Sequence, residues 1–279
     1  MRLVVQGRAI TVAHLTHIHR LTGGNTQFMQ VGEFSYYLPT QSSDVEAVKA
    51  FCAEQQIDYA LVPDAQRLSH FGLCVMDMDS TLISIECIDE IADMMQIKPQ
   101  VSAVTEAAMR GELDFAESLK QRVALLKGLP EAALQRVVDE RLKLNPGAKQ
   151  WIAACKANNI KTMLVSGGFT FFADHVQQLL GLDYAVSNTL EIIDGKLTGN
   201  IVGDIVDAER KAQELLKLRD NLGLKADQTI AIGDGANDLK MMAVATVGVA
   251  YHAKPLVQAQ ATYALNFTGL DSVAALFTA

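Results

Sequence analysis

Short apolar runs and amphipathic stretches alternate in the first part of the chain. The apolar runs, separated by Gly-containing breaks, predict four strands, at 2–6, 26–31, 34–38 and 57–63. Apolar residues recur at helical spacing over about 11–21 and 44–55, which predicts two helices between those strands. The resulting order, βαββαβ, is that of a small ferredoxin-like domain, which we place at 1–69.

From residue 70 the apolar runs are followed by helical sequence. Three of them, GLCVMD, KTMLVSGG and QTIAIGDG, end in Gly, Ser or Asp turns. Such runs are typical of parallel strands that are buried on both faces. They predict an α/β domain at 70–279 with a Rossmann-like parallel-sheet core. Ligands of such a sheet bind outside the carboxyl ends of its strands.

The segment from about 86 to 148 interrupts this pattern. It is rich in Ala, Leu, Glu, Met and Lys at helical spacing, and Pro99 and Pro130 are its sharp breaks. We interpret it as a helical cap inserted after the first strand of the sheet.

Composition excludes several classes of function. The chain has 279 residues, of which 49% are hydrophobic and 20% charged, as in ordinary globular proteins of about two domains. A net charge of −8, with no basic stripe, argues against nucleic-acid binding. Charged residues interrupt every window that could span a membrane, and the start of the chain lacks the apolar region of a secretory signal. We therefore expect a cytoplasmic protein without membrane or nucleic-acid partners.

Two aspartates one residue apart stand where the first strand of the α/β domain ends, in DMDST at 77–81. Residues two apart in extended chain point to the same side, so Asp77 and Asp79 can flank one site. An ionised carboxylate can attack a phosphoryl group without a base and form an aspartyl-phosphate. The second carboxyl can protonate the leaving alkoxide and then activate water. Taken alone, the pair also suits an Asp-rich turn or a helix N-cap.

A second acidic segment, GDGANDLKMM at 233–242, follows another predicted strand and carries Asp234 and Asp238. Carboxylate and carbonyl oxygens suit Mg²⁺, which keeps several of its waters. A bound cation would also remove the repulsion between Asp77 and an anionic phosphate. The two segments together predict a magnesium site.

Two further segments offer groups for a phosphate. VSGGF at 165–169 presents Ser166 and the amides around Gly167 and Gly168. Lys211, in the helix that follows VDAER, could neutralise charge on the transferred group. Taken singly, these features also fit a turn and a solvated surface charge.

In this order, DMDST, VSGG, a lysine and GDGAND resemble the haloacid dehalogenase superfamily of phosphotransferases, over roughly residues 71–279. The resemblance implies that Asp77 is the nucleophile and Asp79 the general acid/base. It implies Mg²⁺ ligation by Asp77, the backbone carbonyl of Asp79 and Asp234, with Asp238 supporting the metal site. The implied contacts to the transferred phosphate are Ser166, Gly167, Lys211 and, nearby, Asn237.

Within that superfamily, the stretch DSTLISIECIDEIA resembles the phosphoserine phosphatase family. This implies a small phosphomonoester substrate, O-phosphoserine, hydrolysed to serine and phosphate in the last step of serine biosynthesis. Glu86 would pair with the substrate ammonium, and Arg122 would grip its carboxylate. Met109 and Phe115 match family positions that cover the substrate and exclude water. Without the resemblance, Met109 and Phe115 would suit a core and Arg122 a solvated surface.

The N-terminal order also resembles an ACT domain, an amino-acid-sensing module attached to many enzymes of amino-acid metabolism. Two roles stay open for it: binding an amino-acid effector and forming a homodimer.

Three alternatives for the whole chain stay open as well. One is a phosphatase or phosphotransferase for another small phosphomonoester, against which Glu86 and Arg122 argue. Another is a signalling module in which the aspartyl-phosphate persists, although the built-in acid/base at Asp79 would shorten its lifetime. The third is an amino-acid sensor with a decayed catalytic half, and the four intact catalytic segments argue against it.

Overall fold

The N-terminal part has the predicted order of elements. The structure, a computed structural model, describes residues 1–23, 27–39 and 45–277, with the side chain of Met109 outside the described part. The elements are β1 (Arg2–Gln6), α1 (Val12–Thr22), β2 (Met29–Gly32), β3 (Ser35–Pro39), α2 (Glu46–Glu54) and β4 (Asp58–Val62). They form an antiparallel sheet of order β2-β3-β1-β4, which confirms the ferredoxin-like arrangement. The predicted element starts at Thr26 and Asp44 lie outside the described residues.

Both faces of β1 are buried, because the small sheet lies between its own helices and the rest of the chain. Leu3 and Val5 pack with Ile18 of α1 and Val48 of α2. Val4 points the other way and belongs to the main core of the protein. Alternate side chains of one strand therefore serve two different cores.

The second part is a seven-stranded sheet surrounded by helices. Its strands are β5 (Leu73–Met76), β6 (Lys161–Phe169), β7 (Tyr184–Ile193), β8 (Lys196–Val202), β9 (Thr229–Gly233), β10 (Val247–Tyr251) and β11 (Tyr263–Leu265). Its helices are α3 (Cys87–Met94), α4 (Lys98–Met109), α5 (Phe115–Ala124), α6 (Ala132–Glu140), α7 (Ala148–Ala157), α8 (Thr170–Leu180), α9 (Ala208–Asn221), α10 (Leu239–Val244), α11 (Pro255–Gln258) and α12 (Ser272–Phe277).

The strand order is β11-β10-β9-β5-β6-β7-β8, and every pair is parallel except β7 with β8. The prediction of a parallel α/β core is confirmed. The three runs singled out in the sequence are the adjacent central strands β9, β5 and β6. Their carboxyl ends, with the polar residues that follow them, therefore meet at one edge of the sheet.

Helices α3 to α6 form the insertion predicted between the first two strands of this sheet. The chain leaves and returns at one point, where Ile83 and Leu144 form an isolated antiparallel bridge. There the Ser84 N–H donates to the Lys143 carbonyl over 2.9 Å. On its far side the insertion rests on the β7–β8 hairpin, where the Gly128 N–H donates to the Leu197 carbonyl over 2.7 Å. The limits of 86 and 148 for a cap stay a prediction.

Within the described residues, the structure contains no helix with the length and apolarity needed to cross a membrane.

A buried carboxylate joins the small sheet to the C-terminal segment. Asp58, at the start of β4, is 3% exposed. Its oxygens accept hydrogen bonds from the backbone N–H groups of Asn266, Phe267 and Thr268, at 2.6, 3.0 and 3.1 Å, and from the Thr268 hydroxyl at 2.8 Å. One side chain thus satisfies three backbone donors that belong to neither sheet, one of them buried and two partly buried.

We expect Asp58→Ala to lower the free energy of unfolding by about 3 kcal/mol, because one buried and two partly buried N–H groups and the Thr268 hydroxyl lose their acceptor. Asp58→Asn keeps one acceptor oxygen and should cost less. Urea denaturation of the parent and both variants measures these differences.

The matched control is Asp64→Ala. The Asp64 side chain is 67% exposed and pairs with the N-terminal amine at the surface, so its loss should cost less than about 1 kcal/mol. If Asp58→Ala and Asp64→Ala were equally stable, Asp58 would not be a significant link between the two parts of the chain.

Candidate active site

The carboxylate predicted to be the nucleophile, that of Asp77, lies at the end of the central strand. The Asp77 N–H donates to the Ile232 carbonyl of β9 over 3.0 Å, which extends the pairing of β5 by one residue. Met78 is fully buried, so its side chain points into the core. Asp77 Oδ1 accepts a hydrogen bond from the Met78 N–H at 2.8 Å and one from Lys211 Nζ at 2.8 Å. The carboxylate is therefore held by one of its oxygens, and Oδ2 is left for chemistry.

The second carboxylate stands on a tight turn. Ser80 adopts a left-handed backbone conformation with φ of 56°, which turns the chain directly after Asp79. Asp79 Oδ1 accepts a hydrogen bond from the Cys87 N–H at the start of α3, at 3.3 Å. Burial, together with the charge of Glu86, raises the pKa of Asp79 to about 7. A carboxyl with this pKa can donate or accept a proton near neutral pH.

Lys211 lies beneath the carboxyl ends of β5 and β9 and is 1% exposed. Its ammonium contacts Asp77 Oδ1 and Asp238 Oδ1, each at 2.8 Å. Burial lowers the pKa of Lys211, but the charges of Asp238 and Asp77 outweigh this effect and raise the pKa above its ordinary value. The lysine therefore carries a positive charge, and it holds the carboxylate of Asp77 in place.

Three carboxylates form a cluster that fits a divalent cation. Single oxygens of Asp77, Asp234 and Asp238 lie within 4.8 Å of one another. Burial and the charge of Asp238 raise the pKa of Asp77 well above its ordinary value, and they raise that of Asp234 to about 6. Three carboxylates against the one ammonium of Lys211 leave an excess of negative charge, which an oxygen-preferring cation such as Mg²⁺ would compensate. The donor set therefore suits this ion.

Within this cluster, the carboxylates differ in how far their oxygens are already occupied. Asp238 is fully buried, with Oδ1 on Lys211 and Oδ2 on the Gly235 N–H at 3.0 Å. Asp234 is held on one oxygen by the Thr81 hydroxyl at 3.1 Å. Asp77 and Asp234 line the cavity described below, whereas Asp238 lies under it. Asp238 is thus placed to support the other two rather than to meet a ligand.

The end of β6 supplies the opposite wall. Ser166 is buried, and its Oγ accepts a hydrogen bond from the Gly168 N–H at 2.9 Å, so its own proton can be donated to a ligand. A Cβ on Gly168 would lie 2.8 Å from Asp79 Oδ2, and one on Gly167 would lie 2.8 Å from Phe115 Cζ. Only glycine at these two positions allows the acid and the ring to approach so closely.

The insertion closes the site from above. Asp114 caps α5 by accepting a hydrogen bond from the Glu117 N–H at 2.8 Å, which fixes where the helix starts and so where Phe115 lies. About two turns further along the helix, Arg122 is half-buried, and its Nε donates weakly to the Ser118 carbonyl at 3.4 Å. Its remaining donors make no ion pair with any described acid.

These elements enclose one cavity of about 120 Å³. It is lined by Asp77, Asp79, Glu86, Ile88, Phe115, Leu119, Arg122, Ser166, Gly167, Gly168, Phe169, Asp234 and Asn237. Nine of the predicted site residues therefore share one enclosure. Lys211 and Asp238 lie directly beneath it, and the side chain predicted at Met109 lies outside the described part.

Several residues that shape the site were not assigned a role from the sequence. Ile88 and Leu119 give the cavity its apolar wall. Thr81 binds Asp234, and its place in the DMDST motif was the available signal. Asn188 joins the glycine loop to the segment before α9, because its amide donates to the Gly167 carbonyl and accepts from the Val206 N–H, both at 2.8 Å. No spacing in the sequence marks Asn188 for this position.

Comparison with known proteins agrees with this geometry. A profile of the haloacid dehalogenase-like hydrolases matches residues 74–243. The phosphoserine phosphatase of Polaromonas sp. (strain JS666) is 56% identical over 210 residues, which are 74% of this chain and 89% of that protein.

Two solved structures extend the similarity to the fold. A probable phosphoserine phosphatase from Vibrio cholerae, in unliganded form, matches with a TM-score of 0.87 and 42% identity, over 99% of this chain and 86% of that chain. A phospho-aspartyl intermediate analogue of phosphoserine phosphatase matches with a TM-score of 0.68 and 36% identity, over 73% of this chain and 97% of that chain.

The family match covers more than half of the chain, and it contains the strand ends that carry Asp77, Ser166 and Asp234. It also contains Lys211, which the fold brings under the same edge of the sheet. The parallel sheet with a helical insertion after its first strand is the architecture that the sequence motifs predict. The chain belongs to the haloacid dehalogenase-like hydrolases.

Proposed function

We propose that this hydrolase is a Mg²⁺-dependent phosphoserine phosphatase that works through a phosphorylated Asp77. The observation that carries the proposal is the cavity itself. It brings a held carboxylate and a carboxyl with a pKa of about 7 together with one acidic and one basic side chain, Glu86 and Arg122. Those groups match the phosphate, the ammonium and the carboxylate of O-phosphoserine. The relatives that bear the name phosphoserine phosphatase support the same substrate.

In the first step, we expect Oδ2 of Asp77 to attack the phosphorus, because Oδ1 is held by Lys211 and the Met78 N–H. The bond between phosphorus and the serine oxygen breaks as the new bond to Asp77 forms. Asp79 gives its proton to the departing serine oxygen. We expect the Ser166 hydroxyl and the Gly167 amide, which line the cavity, to bind phosphate oxygens in both steps.

In the second step, the aspartyl-phosphate is hydrolysed. Asp79, now ionised, takes a proton from a water that attacks the phosphorus, and the bond to Asp77 breaks. Asp77 and Asp79 thereby return to their starting states and free phosphate leaves. One carboxyl can serve both steps because its pKa lies near neutral pH.

Mg²⁺ is the cation we expect at the cluster of Asp77 and Asp234, with the backbone carbonyl of Asp79 as a further oxygen ligand and Asp238 in support. When bound, it would offset the charge of the carboxylates and of the phosphate. The excess negative charge of the described residues around Asp77 is the structural support for this assignment.

The acidic and the basic side chain select the substrate. Glu86 and Arg122 line the same cavity from the start of α3 and from α5. Each shifts the pKa of the other, burial being the largest influence on both, yet no ion pair forms between them. Both charges thus stay available for a zwitterionic ligand. A sugar phosphate has no ammonium and no carboxylate, so it would leave the charges of Glu86 and Arg122 unpaired. We include Phe115 and Met109 as residues that cover the substrate.

The experiment that tests this function is phosphate release from four compounds, with Mg²⁺ and with EDTA. We expect O-phosphoserine to be hydrolysed at least about tenfold faster than phosphothreonine, a sugar phosphate and p-nitrophenyl phosphate at equal subsaturating concentration. EDTA should abolish release, and added Mg²⁺ should restore it. Equal rates with all four compounds would refute the substrate assignment and leave the aspartate chemistry intact. Full activity in EDTA would refute the metal assignment.

Arg122→Ala should lower kcat/KM for O-phosphoserine by about 10- to 100-fold, as expected for one charge-assisted hydrogen bond. It should change kcat/KM for p-nitrophenyl phosphate, which has no carboxylate, by less than about threefold. Steady-state kinetics of both substrates measure this difference.

The matched control is Arg136→Ala, also in a helix of the insertion. Arg136 is exposed and pairs with Glu140 one turn away, so Arg136→Ala should leave kcat/KM for both substrates unchanged. If Arg122→Ala lowered kcat/KM for both substrates to the same extent, Arg122 would not be the carboxylate ligand.

A further inference from the structure

Asn145 makes an unusual set of contacts at the point where the insertion returns to the core. Its side-chain Nδ2 lies 3.1, 2.8 and 3.1 Å from the backbone carbonyl oxygens of Ser80, Thr81 and Ile83. Its own backbone N–H donates to the Leu82 carbonyl at 2.9 Å. Four successive carbonyls of the loop after the nucleophile are therefore held by one residue more than 60 positions away in the sequence.

This loop carries two further contacts into the active site. The Ser80 hydroxyl donates to Glu86 Oε1 at 2.7 Å. The Thr81 hydroxyl donates to Asp234 Oδ1 at 3.1 Å. The Asn145 amide thus donates to the backbone carbonyls of Ser80 and Thr81. The side chains of these two residues bind Glu86, a predicted substrate ligand, and Asp234, a predicted metal ligand.

The loop needs such support because its conformation is strained. Ser80 has a positive φ of 56°, a conformation that costs a residue with a side chain about 1 kcal/mol or more. A loop of this kind keeps one shape only if the surrounding structure determines it. The Ser80 N–H is bonded to the Ile85 carbonyl at 3.2 Å, and the carbonyl side of Ser80 is held by Asn145.

We propose that Asn145 is a positioning residue, which ties the end of the helical insertion to the loop after Asp77 and so orients Glu86 and Asp234 for the reaction. Asn145 touches neither the cavity nor any group that meets the substrate, and it acts through Ser80 and Thr81. The inference rests on the proposed function for its choice of substrates, but the hydrogen bonds that carry it do not depend on that function.

The chemistry of the side chain matters because all of its partners are acceptors. A carboxamide offers two N–H donors, one of which is shared between two carbonyls. An aspartate at this position would instead set a carboxylate against the same carbonyl oxygens. Asn145 also borders a second cavity, of about 420 Å³, lined in addition by Arg8 and His252. Truncation of Asn145 therefore enlarges an open space rather than creating a buried void, and the variant should fold.

The test compares Asn145→Ala with Asn158→Ala in the full chain. Asn158 is equally half-buried, and its amide donates to one backbone carbonyl at 2.9 Å, but it lies at the other end of α7, about 15 Å along that helix. We expect Asn145→Ala to lower kcat/KM for O-phosphoserine by about 10- to 100-fold, as for other residues that orient metal and substrate ligands. Asn158→Ala should stay within about twofold of the parent.

A role in stability alone would not change the discrimination between substrates. We expect Asn145→Ala to lower the ratio of kcat/KM for O-phosphoserine to that for p-nitrophenyl phosphate by at least about threefold, because Glu86 is oriented through Ser80. Ser80→Ala should lower the same ratio. The double variant should lower it no further than Ser80→Ala alone, since residues that act through one path are not additive. Circular dichroism at the assay temperature identifies which variants are folded.

Asn145→Asp provides a second, isosteric variant. It should lower kcat/KM for O-phosphoserine at least as much as Asn145→Ala does. The proposal is overturned if a folded Asn145→Ala or Asn145→Asp keeps kcat/KM for both substrates within twofold of the parent. It is also overturned if the ratio stays constant, or if the effects of Ser80→Ala and Asn145→Ala on it multiply. If both Asn145 variants are unfolded at the assay temperature, the residue is a stability element and the proposal fails. A parent enzyme without phosphoserine activity would refute the proposed function instead, and the loss of p-nitrophenyl phosphate turnover would still test the positioning role.

Discussion

The buried ammonium of Lys211 is the interaction on which the site depends. A charge that is 1% exposed must be paired, and here it is paired with Asp77 and Asp238 at 2.8 Å each. The three residues come from α9, from the end of β5 and from the loop after β9. Their ion pairs can form only when the helix and both strand ends are in place, so the fold itself brings these three charges together. Three carboxylates around one ammonium leave an excess of negative charge near Asp77, which a bound cation would compensate.

The sheet gives this arrangement its direction. Because β9, β5 and β6 are adjacent and parallel, the three polar loops that follow them meet at one edge of the sheet. The insertion after β5 then covers the edge and adds Glu86, Phe115 and Arg122. In the proposed function, the sheet therefore supplies the chemistry and the insertion supplies the selectivity. Asn145 lies where the two are joined, and for this reason we propose that a residue outside the cavity influences both.

Much of this could be predicted from the sequence because it depends on local patterns. Strand periodicity placed Asp77 and Asp79 on one side of a site, and apolar runs with turn residues gave the adjacent parallel strands. The remainder depends on contacts between distant segments. Nothing in the sequence near Asn145 or Asn188 distinguishes them from ordinary loop asparagines. For Asp58 the sequence predicts only a position in a strand, and its contacts to the segment around Thr268 appear only in the structure. A polar residue whose partners are mostly backbone groups leaves no pairing signal in a single sequence.

The central claim is that Asp77 carries the phosphoryl group between the two steps. The most direct measurement is acid quenching of the enzyme during turnover of O-phosphoserine, followed by mass spectrometry of its peptides. The account predicts a phosphoryl group on Asp77 of the parent enzyme, and it predicts that Asp77→Asn shows neither this phosphoryl group nor turnover. A phosphoryl group on another residue, or rapid turnover by Asp77→Asn, would contradict the account.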